Sequence, residues 1–244
     1  MTLTEPGQRF LASARALVAD FDAIVGGMKR SQESIDGHLR IKAPTSLTVF
    51  HLGRILSEFQ TAHDRVTMDV VLIDRSVNPL EEGFDVALGA MPASYDAVLD
   101  EPLCPLNQQV CASPTYRERR GVPKHPSDLA EHDCLVFRPT GTTWMFRSPK
   151  GWITVDVPMK LVANDMSMLL AAASAGNGVA ILSNYVTRDA LRSGELVPLL
   201  SDFPLPEVWL KALVPKRKVG TKRIDALLEC LRARLSPVPP WEIE

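Results

Sequence analysis

Apolar positions change their period along this chain, and each change marks an element. In Gly37–Ala43, GHLRIKA, the residues Leu39, Ile41 and Ala43 alternate with their neighbours, the period of a strand. After Pro44-Thr45-Ser46 the period lengthens, and Leu52, Ile55, Leu56 and Phe59 recur at helical spacing. Alternation returns between Thr67 and Ile73 as a second strand. Thr45 or Ser46 caps the intervening helix, which leaves backbone N–H groups and hydroxyls at the end of the first strand. That corner suits a carboxylate or phosphate, or is a plain cap.

Upstream, Phe10, Ala14, Leu17, Phe21, Ile24 and Met28 are spaced 4, 3, 4, 3, 4, a heptad seam within residues 1–30. The segment after it, SQESIDG, is polar and linker-like, so the seam predicts a helix that dimerises with a second chain. Downstream, Asn78 to Glu82 reads as a short helix stopped by Gly83, and Phe84 to Leu88 as a strand. Asp100 to Leu106 holds two prolines and reads as a crossover. Gln108 to Ala112 is a strand, Ser113-Pro114 caps a helix ending at Gly121, and Cys134 to Phe137 is a strand. Thr142 to Phe146 and Trp152 to Val162 form a hairpin. Asn164 or Asp165 caps the helix MSMLLAAASAG, which closes at Gly176-Asn177-Gly178 before the strand VAILS. Val208 to Val214 is a strand, Arg223 to Leu235 an amphipathic helix with Ile224, Leu227, Leu228 and Leu231 inward, and 236–244 a loose, proline-rich tail.

This alternation predicts an α/β fold with parallel strands joined by helices. Crossings near Leu103 and near Phe203 divide it into one lobe of 37–102 and 203–235 and another of 103–202. The helix starts at Thr45 and Asn164 then open onto a cleft between lobes, the expected place for a ligand outside the carboxyl ends of strands.

Composition narrows the function. A chain of 244 residues, 45% hydrophobic, buries a full core. A formal charge of -2 argues against a surface wholly given to nucleic acid or an acidic membrane. Cys104, Cys111, Cys134 and Cys230 lack metal-ligand spacing and read as reduced thiols. No uninterrupted apolar run suits a signal peptide or a span, so the expected location is cytoplasmic, with no membrane partner. No nucleophile elbow, Walker loop or zinc-protease motif is present, and neither an enzyme, a cofactor nor a metal is expected. Lys216, Arg217, Lys218, Lys222 and Arg223 read as a solvated loop in preference to a phosphate contact. Arg138, just past the strand ending at Phe137, is either within reach of a ligand anion or simply exposed.

Several segments resemble one family in order. Leu3 to Phe10, LTEPGQRF, looks like the segment joining the winged helix-turn-helix of LysR-type transcriptional regulators to their linker helix. GHLRI from Gly37, GFDVAL from Gly83, ASPTY from Ala112, HDCLVF from His132, GNGVAIL from Gly176 and GELVPLL from Gly194 match further family segments. The resemblance implies two Rossmann-like subdomains of periplasmic-binding-protein type with two crossovers, preceded by a long linker helix. It also implies a small-molecule effector between the subdomains and a homodimer or homotetramer. Carried over by position, Thr45, Ser46, Gly89, Ala90, Asn164, Asp165 and Met166 border the effector. Many relatives carry an arginine close after the Asp-Val-Ala-Leu strand; Gly89-Ala90 here argues against a carboxylate-specific effector. DNA contact is expected only through the family's N-terminal module, which would precede Leu3. The rival reading is a solute-binding protein of a transporter, which shares the architecture.

Overall fold

The structure is a computed structural model that describes residues 14, 15, 17, 18, 35–90 and 94–243. The chain forms two compact units, unit 1 taking in Met1–Pro44, Leu52–Cys104 and Leu210–Pro237, and unit 2 taking in Thr45–His51, Pro105–Trp209 and Val238–Glu244. Of the heptad seam, Ala14 and Leu17 are helical and Leu17 is 73% exposed. Phe10, Phe21, Ile24 and Met28 lie outside the described residues.

Unit 1 is built on a five-stranded sheet in the order β2-β1-β3-β12-β4. Its strands are β1 (Gly37–Ala43), β2 (Val66–Leu72), β3 (Val86–Gly89), β4 (Val98–Pro105) and β12 (Trp209–Pro215). The pairs β1–β2 and β1–β3 are parallel, as the alternation predicts, whereas β12 runs antiparallel to β3. The Asp100 to Leu106 stretch, expected as a crossover outside the elements, belongs mostly to β4. Its prolines are tolerated because β4 is an edge strand, with one side free of ladder bonds. Helix α2 (Gly53–Ala62) buries Ile55, Leu56 and Phe59. Helix α3 (Pro79–Glu82) is capped by Asn78 and ended by Gly83 at φ 74°. The final helix α7 (Lys222–Leu235) buries Ile224, Leu227, Leu228, Leu231 and Leu235, and Arg223 Nε donates to His38 O at 3.0 Å, tying it to β1.

Unit 2 holds a second five-stranded sheet in the order β11-β5-β10-β6-β9. These strands are β5 (Gln108–Ala112), β6 (Cys134–Phe137), β9 (Met159–Ala163), β10 (Val179–Ser183) and β11 (Val197–Leu199). Strands β5 and β6 are apolar on both faces because both are covered: Val110, Ala112, Cys134 and Val136 join one core cluster, and Cys111 and Leu135 the other. Helices α4 (Pro114–Arg120), α5 (Met166–Ser174) and α6 (Asn184–Arg192) complete the unit, and the short helix α1 (Thr45–Leu47) touches α6. The predicted hairpin is shorter than expected, with β7 (Thr143–Ser148) paired to β8 (Gly151–Asp156). Chain beyond Pro158 leaves the hairpin as β9 and pairs with β6. Pro158 has no N–H to continue the antiparallel ladder.

The tail expected to be loose is folded against unit 2. Trp241 is 2% exposed, its ring 4.8 Å from that of His51, and Asn184 Nδ2 donates to Glu242 Oε2 at 3.0 Å. An indole removes far more apolar surface from water than the tail's prolines suggest.

Candidate functional site

The predicted site residues separate into groups. Thr45, Ser46, Arg138, Asn164, Asp165 and Met166 fall in unit 2, and Gly89 and Ala90 in unit 1. In unit 2, β6 and β9 run parallel with Phe137 opposite Ala163, and the N–H of Arg138 donates to Ala163 O at 2.8 Å. Arg138 therefore stands beside Asn164, Asp165 and Met166 at the carboxyl ends of two parallel strands. Its side chain is exposed, as is that of Asn164, whereas Met166 is buried.

The capping question left open between Asn164 and Asp165 is decided for Asp165. Its Oδ1 accepts from the N–H groups of Ser167 at 2.9 Å and Met168 at 3.1 Å. The start of α5 thus already holds a carboxylate of its own, and a second anion there would meet like charge. What this corner offers a ligand is the acceptor capacity left on Asp165 and the exposed amide of Asn164.

Thr45 opens α1 after Pro44, and the helix widens at once into a π-helical stretch, Thr48–Leu52, before α2. Such widenings recur at functional sites. Ser46 is 2% exposed, and the buried Thr48 Oγ1 has no hydrogen-bond partner among the described residues. Thr48 was not singled out by sequence, although its place two residues after Ser46 is the signal that marks it.

In unit 1, Gly89 ends β3 beside a residue that sequence reasoning missed. Lys42, the penultimate residue of β1, is 4% exposed and donates from Nζ to Leu88 O at 3.0 Å. A Cβ at Gly89 would lie 3.3 Å from Nζ, so the glycine makes room for the ammonium. Burial pushes Lys42 down to about 8, opposed chiefly by the charge of Asp74. A cavity of about 20 Å³ is bounded by Lys42, Arg75, Ser76, Gly89, Lys211 and apolar neighbours. Arg75 forks onto Glu82 with two 2.8 Å bonds, and Lys211 reaches Asp100 at 2.9 Å.

Lys218 and the buried thiols are structural. Lys218, expected in a solvated loop, is 9% exposed and pairs with Asp85 at 2.7 Å. Burial holds the Cys111 and Cys134 thiols up at about 12, which leaves them inert as thiolates. Among the described residues no group of His, Cys, Asp or Glu is placed to hold a metal ion, and no helix is long and apolar enough to cross a membrane.

Two mixed sheets, each flanked by helices and joined by chain crossings at Cys104/Pro105 and Trp209/Leu210, define a two-unit α/β fold of periplasmic-binding-protein type. The chain belongs to the LysR substrate binding domain family, whose model matches residues 32–236, and is the effector-domain part of a LysR-type transcriptional regulator. It is 29% identical over 245 residues to the uncharacterised HTH-type transcriptional regulator YhjC of Escherichia coli K12, covering 94% of this chain and 78% of that protein. With the HTH-type transcriptional regulator PtxR of Pseudomonas aeruginosa the identity is 25%, over 98% of this chain and 77% of that one. The solved structure of CrgA, a LysR-type transcriptional regulator from Neisseria meningitidis, has the same fold, with a TM-score of 0.74 at 23% identity over 96% of this chain and 81% of that chain. Full-length AphB, a virulence activator of Vibrio cholerae, gives a TM-score of 0.73 at 20% identity over 96% of this chain and 80% of that chain.

Proposed function

We propose that this chain senses a small-molecule effector held between its two units, with Thr45, Ser46, Gly89, Ala90, Arg138, Asn164, Asp165 and Met166 around it. Occupancy is passed to the arrangement of subunits through the linker helix of Phe10, Ala14, Leu17, Phe21, Ile24 and Met28, and from there to transcription from DNA. The observation that carries the reading is the family match over 32–236 together with polar residues gathered at the carboxyl ends of parallel strands. The orphaned hydroxyl of Thr48 beside Thr45 and Ser46 supports it, because a buried hydroxyl without a partner costs free energy that a bound polar group recovers. A ligand moves the equilibrium between unit orientations only by its differential affinity for them, a coupling of ~1–3 kcal/mol in comparable systems.

The test is titration calorimetry of a metabolite panel against the wild type and the Thr45→Ala/Ser46→Ala double variant, with sedimentation of wild type and Phe21→Glu in parallel. The double variant is expected to bind roughly tenfold more weakly, the loss of one or two hydrogen bonds. Phe21→Glu is expected to weaken self-association. Equal affinities would remove Thr45 and Ser46 from the site, and an unchanged association constant would remove the seam.

A further inference from the structure

Unit 2 holds a cavity of about 250 Å³ between α6 and the tail beyond Pro237, and none of the effector contacts proposed above borders it. That is more than ten times the roughly 10–15 Å³ that admits one water and approaches the ~300–1,000 Å³ of small-molecule sites. A small metabolite fits. Its walls all belong to unit 2, so the site is complete within one unit.

Charge is divided along this cavity. Asn184, Arg188 and Arg192 recur every four residues, so one edge of α6 lines it. At the Asn184 end the tail supplies a carboxylate, and Asn184 Nδ2 donates to Glu242 Oε2 at 3.0 Å. The backbone positions of the two arginines follow about 6 and 12 Å further along the axis. Arg188 Nη1 donates to the carbonyl of Pro240 at 3.4 Å, and Arg192 is exposed and makes no hydrogen bond or ion pair among the described residues. Neither arginine pairs with Glu242, although all three line the same space. Opposite charges that share a cavity without meeting suit a ligand that carries both signs, because each end then gains a charged partner. A plain anion would meet the like charge of Glu242, and a plain cation those of the arginines.

A second observation points the same way. Glu242 Oε1 and Trp241 Nε1 are buried without a hydrogen-bond partner among the described residues. The docked tail therefore leaves one acceptor and one donor unmet, a cost that a polar ligand offsets as the tail adjusts to it. Leu191 and Ile243 add apolar surface for a short side chain.

We propose that this cavity binds a free amino acid as its zwitterion, with the carboxylate on Arg188 beside Arg192 and the ammonium on Glu242. The site is separate from the effector contacts and does not depend on them. An amino acid held there joins α6 to the tail and fastens the segment beyond Pro237 to unit 2.

The experiment screens the twenty standard amino acids by thermal shift on the full chain. The best is taken to calorimetry beside its two half-charged counterparts, the acid without the amino group and the amine without the carboxyl. The proteins are wild type, Arg188→Gln, Glu242→Gln and Thr45→Ala/Ser46→Ala; Glu242→Gln keeps an acceptor for Asn184 and so preserves the docked tail. At least one amino acid should bind wild type tenfold or more tightly than either counterpart and lose tenfold or more in both Arg188→Gln and Glu242→Gln. It should also slow chymotryptic cleavage at Trp241 at least threefold in wild type. Absence of amino-acid binding, a counterpart that binds as well, or wild-type affinity in either single variant overturns the proposal. An amino acid whose affinity falls only in Thr45→Ala/Ser46→Ala belongs to the effector contacts, which overturns this cavity as its place and leaves effector sensing intact.

Discussion

Asp85 and Lys218 show how much a single side chain owes to its surroundings. Asp85 Oδ2 accepts the N–H of Arg40 at 2.7 Å and Oδ1 accepts Lys218 Nζ at 2.7 Å, with both charged side chains nearly buried. The pair fastens β1 to the turn before α7. Removing one partner strands the other charge in a poor solvent. Lys218→Met should cost ~3–5 kcal/mol in urea denaturation, and adding Asp85→Asn should cost less than the sum of the two single changes. Strict additivity would show that the two charges do not depend on each other. Neither Lys218 nor Lys42 was legible as a buried cation. In sequence each is one lysine among polar neighbours, and burial is settled by partners distant in the chain, Asp85 and the carbonyl of Leu88.

At the scale of elements, legibility followed the strength of the local signal. Asn78 before a proline and Gly83 after Glu82 mark α3 to within one residue, and α7 shows its apolar stripe plainly. Helix α6 leaves no boundary signal in the sequence because no turn separates it from β10. Ser183 passes directly into Asn184, and the buried face carries Val186, Thr187 and Ala190 where larger apolar residues would have announced it. The segment Gly176-Asn177-Gly178 reads as a helix stop and follows directly on the end of α5, but only the packing explains its second glycine. A Cβ at Gly178 would stand 2.4 Å from the carbonyl oxygen of Asp133, and the N–H of Val179 donates to that same carbonyl. Gly178→Ala must therefore push β10 away from the entrance of β6. It should lower stability by ~1–3 kcal/mol with the urea midpoint falling accordingly, and an unshifted midpoint would contradict the close approach.

For the molecule as a whole, the tail is where expectation and structure part most clearly. Trp241 lies against His51 and Tyr185, with ring centroids at 4.8 and 6.2 Å, and Arg188 Nη1 donates to Pro240 O at 3.4 Å. Trp241→Ala should cost ~3–5 kcal/mol and expose the chain beyond Pro237 to limited proteolysis. A tail as resistant as in wild type would show that the indole does not hold it. Period and punctuation along the chain were enough to determine the α/β class, most strands and several of the helices, because backbone preference and amphipathic pattern act over a few residues. The same local signals carried the family resemblance. Only the tertiary structure decided that Lys42 and Lys218 are buried, that Asp165 occupies its own helix start, that β4 is an edge strand and that the tail is anchored. Each of those depends on which distant groups displace water from a residue, and a desolvated charge or indole leaves no periodic trace in the sequence.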